Sequence, residues 1–195
     1  MLRLTDTVKH LLIINVLSFV VAYFVLPNFM NKLQIEHYIA LHAPQTGHFE
    51  PFQIITSIFS HSGPRHLIFN MLGLVFLGPM VEQTLGPKRF LSMYLLAGLL
   101  STAPTLAGIY PASIGASGAT YSVLVAFAAM FPNLKLMLLF PPIPVKAKYL
   151  VAALVGYDML FGIGGFASTT AHFAHLVGAA VGFCCVYYWG KLNLR

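Results

Sequence analysis

Apolar positions in this chain are gathered into long runs, and polar positions lie mainly between them. Each run is near the ~20 residues that a helix needs to cross the hydrocarbon core of a bilayer. The pattern therefore predicts an all-α, polytopic membrane protein, a bundle of six transmembrane helices in one domain that covers 1–195. The six segments lie at roughly 10–28, 64–83, 88–108, 116–132, 147–165 and 170–190.

The connection between the first two segments, about 31–63, has a different pattern. Apolar residues are interleaved there with polar ones, and the stretch also contains Pro44, Gly47 and Pro51. It is too polar to span a membrane and too apolar for a free linker. We expect an interfacial loop with short helices lying partly in the outer boundary of the bilayer.

The composition indicates a membrane protein. It argues against an additional soluble domain and against a nucleic-acid-binding protein. The chain is 58% hydrophobic and 8% charged, with a mean hydropathy of +0.80, so it cannot present an ordinary water-facing surface. Its 195 residues leave no room for an additional soluble domain of usual size. The net charge of +6 comes from scattered basic residues, not from the clusters that bind nucleic acid.

The basic residues instead indicate topology, because loops on the cytoplasmic side are enriched in Lys and Arg. With six spans, only Lys32 and Arg65 lie on the outer side. The other nine of the eleven basic residues lie on the side of both termini: Arg3, Lys9, Lys88, Arg89, Lys135, Lys146, Lys148, Lys191 and Arg195. We therefore expect cytoplasmic termini in a multi-pass protein. The compact form fits a bacterial inner membrane, with the membrane of an organelle as the alternative.

Ser117 is a candidate nucleophile near the outer end of the fourth segment. It lies in the sequence Gly115-Ala-Ser-Gly118, and the two glycines allow close approach of other groups to its hydroxyl. A helix that begins there would also present free backbone N–H groups to a developing oxyanion. Alternatively, the same small residues are a helix-packing or capping sequence.

His175 is the candidate base, because an ionisable side chain inside a membrane helix is costly and is usually functional or paired. Ala171, His175, Gly178 and Gly182 follow at spacings of four, three and four, which places them on one helix face. A partner helix can approach this small face closely. A buried structural histidine is the alternative, and His172, one turn earlier, competes for the role of base.

A third cluster begins the second segment. His66 and Asn70 are four residues apart, share a helix face and can both donate hydrogen bonds into one pocket. They are candidates for stabilising an oxyanion, or else they cap the helix and form interhelical hydrogen bonds.

Together these motifs resemble the rhomboid intramembrane serine proteases over about residues 50–185. Ser117 matches the nucleophile of that family, and Tyr121 matches a tyrosine that packs on the catalytic histidine. The pattern His175-x-x-Gly178 matches the general base, and His66 and Asn70 match the pair that supports the oxyanion.

Two further stretches bear on the resemblance. Gly78-x3-Glu82-x3-Gly86 matches a structural signature at the end of the second helix. The family often has a Trp-Arg pair in the first loop, where this chain has Phe52-Gln53.

The resemblance implies a serine endopeptidase that uses a Ser117–His175 dyad. It would cleave transmembrane segments of single-pass or polytopic membrane-protein substrates near their outer end. We expect the lipid bilayer as a further partner. We expect no cofactor, no metal and no nucleic-acid partner. The resemblance assigns no catalytic role to Asp158.

Two other classes remain as alternatives. A metal-dependent transporter or metalloprotease could use His61, His66, His172 and His175, although the His-Glu-x-x-His pattern is absent from the sequence. A non-catalytic relative that binds transmembrane segments would keep the fold but usually lose the serine or the histidine.

Overall fold

A computed structural model describes residues 3–138, 141–163 and 171–191, with the side chain of residue 163 excepted. These residues form a mostly helical structure with two small pairs of β-strands, which confirms the helical class. Residues 164–165 of the predicted fifth segment, residue 170 of the sixth and the charge of Arg195 lie outside the described residues.

The first segment forms one long helical run. Helix α1, Asp6–Val20, continues as a π-helical turn, Val21–Val25, and a 3₁₀ turn, Leu26–Asn28. The run ends near Pro27, which cannot continue a helical hydrogen-bond ladder.

The predicted interfacial loop is folded and contains short elements. Helix α2, Lys32–Ile39, begins with a reciprocal capping box between Asn31 and Gln34. Strand β1, Leu41–His42, a 3₁₀ turn, Pro44–Thr46, and helix α3, Gln53–Phe59, follow.

One buried amide holds this loop together. The Oε1 atom of Gln53 accepts from the backbone N–H groups of His42 (3.2 Å) and Glu50 (3.1 Å). Its Nε2 atom donates to the carbonyls of His37 (2.9 Å) and His48 (3.0 Å). All four hydrogen-bonding positions of the amide are used, so Gln53 ties together four points of the loop.

The second segment is helix α4, Pro64–Leu85, and Glu82 near its end anchors the first helix. The carboxylate of Glu82 accepts hydrogen bonds from the Thr5 hydroxyl and from the backbone N–H groups of Thr7 (3.2 Å) and Val8 (3.0 Å). Glu82 therefore caps the N-terminus of α1, where free N–H groups and the helix dipole favour an anion.

The third segment is shorter than predicted. Helix α5, Pro87–Leu100, ends well before position 108, and a separate short helix α6, Ala103–Leu106, follows it. Pro104 explains the break, because it has no N–H to donate to the carbonyl of Leu100 and its ring would clash there. Strand β2, Ala112–Ser113, then pairs antiparallel with β1.

The remaining segments form helices α7, Ser117–Met130, α8, Ala147–Ile163, and α9, His172–Tyr188. A hairpin of β3, Lys135–Met137, and β4, Pro144–Lys146, connects α7 to α8. Helix α7 is central, since it contacts α4, α5, α8 and α9. Its 14 residues make it about 21 Å long.

Each of the six predicted segments thus contains a helix, but the count of six spans stays a prediction. Among the described residues, two helical runs are long and apolar enough by themselves to cross a membrane: Asp6–Asn28 and Pro64–Leu85. Helices α7 and α9 are apolar, but each has fewer than the 18 residues required of such a helix.

We expect Glu82→Gln to lower the free energy of unfolding by about 1–3 kcal/mol, because a buried charge-assisted cap is lost. Unfolding of the detergent-solubilised protein with denaturant would measure this change. The matched control is Glu36→Gln, since Glu36 is exposed and pairs with Lys32 at 3.8 Å. Equal stability of the two variants would contradict the anchoring role of Glu82.

Candidate active site

The site is formed where α7 and α9 approach each other closely. A Cβ atom added at Gly178 would lie 2.0 Å from the carbonyl oxygen of Gly118, and one added at Gly182 would lie 2.4 Å from that of Ser122. Neither distance is possible between real atoms. The two glycines therefore let the backbones of α7 and α9 touch, and this contact brings the serine helix to the histidine helix.

Ser117 and His175 are hydrogen-bonded across this contact. The Oγ atom of Ser117 lies 2.9 Å from Nε2 of His175. Ser117 is the first residue of α7, so its own N–H belongs to the first helical turn, whose N–H groups have no partner within the helix. The two residues predicted to form the dyad are within reach for proton transfer.

Asp158, to which the resemblance assigned no catalytic role, is the acidic neighbour of this pair. Oδ1 of Asp158, on α8, lies 3.1 Å from Nδ1 of His175, and Asp158 is 1% exposed. An ionised carboxylate accepts only, so Nδ1 of His175 carries the proton and Nε2 is left to accept from Ser117. The sequence shows Asp158 as an acidic residue in a predicted span, but it does not indicate which helix the side chain faces.

His172 does not take the place of His175. Its Nδ1 atom lies 2.6 Å from the same Oδ1 atom of Asp158, and the residue is 3% exposed. Asp158 therefore lies between two imidazoles, and of the two it is His175 that reaches Ser117.

Tyr121 packs against the imidazole of His175. Its ring stacks on the His175 imidazole with centroids 4.4 Å apart and planes 13° apart. Tyr121 is one helical turn after Ser117, so α7 itself holds both the hydroxyl and the surface that orients the imidazole.

His66 lies against the backbone just before Ser117. A Cβ atom at Gly115 would be 2.5 Å from Cε1 and 2.8 Å from Nε2 of His66, and Gly115 has a φ of +134°, which favours glycine. The backbone N–H of Ser62 faces Nδ1 of His66 at 3.4 Å. Since that N–H can only donate, Nδ1 accepts, and neutral His66 carries its proton on Nε2, beside Gly115.

Asn70 joins α4 to the first turn of α7. Its Oδ1 atom accepts from the Thr120 hydroxyl at 2.8 Å, and Nδ2 donates to the His66 carbonyl at 2.9 Å. The same Thr120 hydroxyl lies 3.0 Å from the Ser117 carbonyl. The Asn70 amide keeps a second N–H, as an oxyanion donor requires.

A buried histidine packs behind His66. The His61 ring is edge-on to His66, with centroids 5.2 Å apart. Burial, with a smaller contribution from His66, lowers the pKa of His61 to about 4. His61 is therefore neutral near pH 7 and adds no positive charge to the site.

A small cavity of about 30 Å³ adjoins Ser117 and Gly118, and Ser57, Ser101 and Ser113 contribute to its lining. The buried hydroxyl of Ser101 has no hydrogen-bond partner among the described residues. A polar cavity of this size can hold about one water molecule.

The four histidines of the metal alternative do not meet in one set. Among the described residues, the group that could hold a metal ion is Asp158, His172 and His175, with one ligand atom of each within 4.8 Å of the others. His61 and His66 pair with each other beside α4.

The fold and the site together define a class of protein. It is a helical membrane protein in which a serine, an imidazole and a carboxylate are hydrogen-bonded in line. The family model described as Rhomboid domain matches residues 48–192. The chain belongs to the rhomboid family, as its motifs predicted.

Three curated relatives illustrate the similarity. Presenilin-associated rhomboid-like protein A, mitochondrial, of Danio rerio is 33% identical over 73% of this chain and 38% of its own length. Rhomboid protein 1, mitochondrial, of Saccharomyces cerevisiae is 36% identical over 71% of this chain and 42% of its own length. RHOMBOID-like protein 12, mitochondrial, of Arabidopsis thaliana is 33% identical over 66% and 43%. The chain thus spans about two fifths of the length of these relatives.

We expect Gly182→Ala to destabilise the protein by roughly 1–3 kcal/mol, because the new methyl group would push α9 away from the backbone of α7. Thermal unfolding in detergent would measure this. Gly156→Ala on α8 is the matched control, since a Cβ atom there meets nothing within 4 Å. A neutral Gly182→Ala variant would show that the backbone contact is not required.

Proposed function

We propose that the protein is an intramembrane serine endopeptidase. The observation that carries the proposal is the 2.9 Å contact between Ser117 Oγ and His175 Nε2, at the N-terminus of an apolar helix. Membership of the rhomboid family supports the same reaction class. The proposal concerns this chain and not the longer relatives.

In the proposed reaction, Ser117 attacks the carbonyl carbon of the scissile peptide bond while His175 Nε2 takes the hydroxyl proton. The resulting oxyanion is held by the Ser117 N–H, His66 Nε2–H and the second N–H of Asn70. His175 then returns the proton to the leaving amine, and water, activated by His175, releases the acyl group from Ser117.

Asp158 extends the predicted dyad. In this proposal, its carboxylate holds the proton on Nδ1 of His175 and stabilises the imidazolium that forms when Ser117 is deprotonated. It acts through His175 and is therefore a positioning residue.

The proposed substrates are single-pass or polytopic membrane proteins. A peptide bond inside a helix is shielded, so a cleavable segment must unwind locally near its outer end. Small residues at the cleavage site and helix-breaking residues beyond it are the expectation from the family.

The proposed membrane topology has six spans with both termini on the side rich in basic residues. The relatives named above are mitochondrial and do not support the bacterial inner membrane expected from the sequence. We therefore propose only that this side is the cytoplasm, or the matrix if the membrane is mitochondrial.

A fluorophosphonate probe should label the solubilised wild-type protein and neither Ser117→Ala nor His175→Ala, because labelling requires an activated serine. In-gel fluorescence would measure the labelling, after thermal unfolding has verified that each variant folds. Ser92→Ala and His10→Ala serve as controls, since both residues are exposed and lie outside the site.

An unlabelled but folded wild-type protein would favour the alternative of a non-catalytic protein that binds membrane segments. Labelling that survives in Ser117→Ala would mean that another serine reacts.

We expect Asp158→Asn to lower kcat by about 10²- to 10⁴-fold, since the carboxylate that orients and stabilises the His175 imidazolium is lost. The KM for a reconstituted transmembrane substrate should change little. Asp6→Asn, which alters an exposed carboxylate, is the control. An unchanged kcat would mean that the reaction needs only the dyad.

A further inference from the structure

Asp158, His172 and His175 form a buried group that contains one imidazole more than acyl transfer requires. Both imidazoles point Nδ1 at one oxygen of the carboxylate, at 2.6 and 3.1 Å. The three side chains are only 2–12% exposed. The reaction uses one imidazole and one carboxylate, so His172 is not accounted for by the proposed mechanism.

The second oxygen of this carboxylate is a further unexplained feature. Oδ2 of Asp158 is buried and forms no hydrogen bond of ordinary geometry among the described residues, with the Tyr121 hydroxyl as the nearby donor. An ionised oxygen buried without a partner is costly, and buried charges are normally paired or bound to a metal.

The three side chains have the chemistry of a metal site. Imidazole nitrogen and carboxylate oxygen suit Zn²⁺, which binds them at about 2.0–2.2 Å in tetrahedral geometry. Ligand atoms in such a site are about 3.3 Å apart by that geometry. The present ligand atoms all lie within 4.8 Å of one another, so small side-chain movements would suffice.

We propose that Asp158, His172 and His175 bind a divalent transition metal such as Zn²⁺ and that this binding reversibly inhibits the protein. Each imidazole would donate its Nδ1 lone pair to the metal, and its ring proton would then be on Nε2 in place of Nδ1. His175 Nε2 would then face Ser117 as a donor and could not accept the hydroxyl proton. The inhibition rests on the proposed protease function, whereas the metal site does not.

The binding test uses the full chain carrying Ser117→Ala and an affinity tag without histidine, purified in detergent. This variant keeps all three ligands and has no activity by design. Titration with Co²⁺, followed by visible d–d absorption, should give about one ion per chain, and Zn²⁺ should displace it. Adding His172→Gln or Asp158→Asn should weaken binding by at least about tenfold.

His10→Gln is the matched control, because His10 is exposed on α1 and lies outside the group. Thermal unfolding verifies that each variant folds, and the two ligand variants test the site independently. A folded protein that binds no Co²⁺, or that loses binding equally with His10→Gln, would overturn the metal site.

The inhibition test uses the wild-type protein. Zn²⁺ should stop substrate cleavage, a chelator should restore it, and the cleavage that remains in His172→Gln should resist Zn²⁺. Equal inhibition of wild type and His172→Gln would overturn inhibition through this site. Co²⁺ binding to Ser117→Ala with no cleavage by wild type would support the metal site and contradict only the protease function.

Discussion

The direct contact between the backbones of α7 and α9 is the constraint on which the site depends. Gly178 lies against Gly118, and Gly182 against the backbone of Ser122. Between apolar helices in lipid there is little hydrophobic driving force, so close van der Waals packing at small residues has to hold them. The same contact fixes the distance between Ser117 and His175, because each lies within one turn of these glycines. Stability and active-site geometry are therefore specified by the same positions.

The polar groups of the interior find hydrogen-bond partners within this tight packing. Glu82 binds the free N–H groups at the start of α1, and Asn70 links α4 to the first turn of α7. Asp158 is a buried carboxylate, as Glu82 is, and must find donors. The two imidazoles of α9 supply them, which couples the position of α8 to that of α9 at the reacting groups.

The sequence predicted much of the fold because hydrophobic length and small-residue spacing are local patterns. All six apolar segments contain helices, and His175, Tyr121 and His66, which were matched to the rhomboid motifs, lie close to Ser117 or to the backbone just before it. The sequence did not reveal which way Asp158 faces, since this depends on how α8 rotates against α9. The break at Pro104 was missed because the apolar run continues through it, although proline itself signals such an end.

Gln53 was noted only as a departure from the family pattern, yet it organises the loop. Its role could not be inferred from residue type, because the four backbone groups that it binds are up to 16 residues away. A neutral amide at this place satisfies two donors and two acceptors at once, which a guanidinium, having donors alone, cannot do.

The short length of α7 bears on how deep the Ser117 hydroxyl lies in the membrane. At about 21 Å, it falls roughly 9 Å short of the ~30 Å hydrocarbon core. If its C-terminal end lies at the inner boundary, the hydroxyl of Ser117 lies well below the outer one. That depth corresponds to about six residues of a helical segment at 1.5 Å each. In the proposed reaction, the length of this one helix would then decide how far inside the membrane a substrate is cut, independently of which side chains surround the bond.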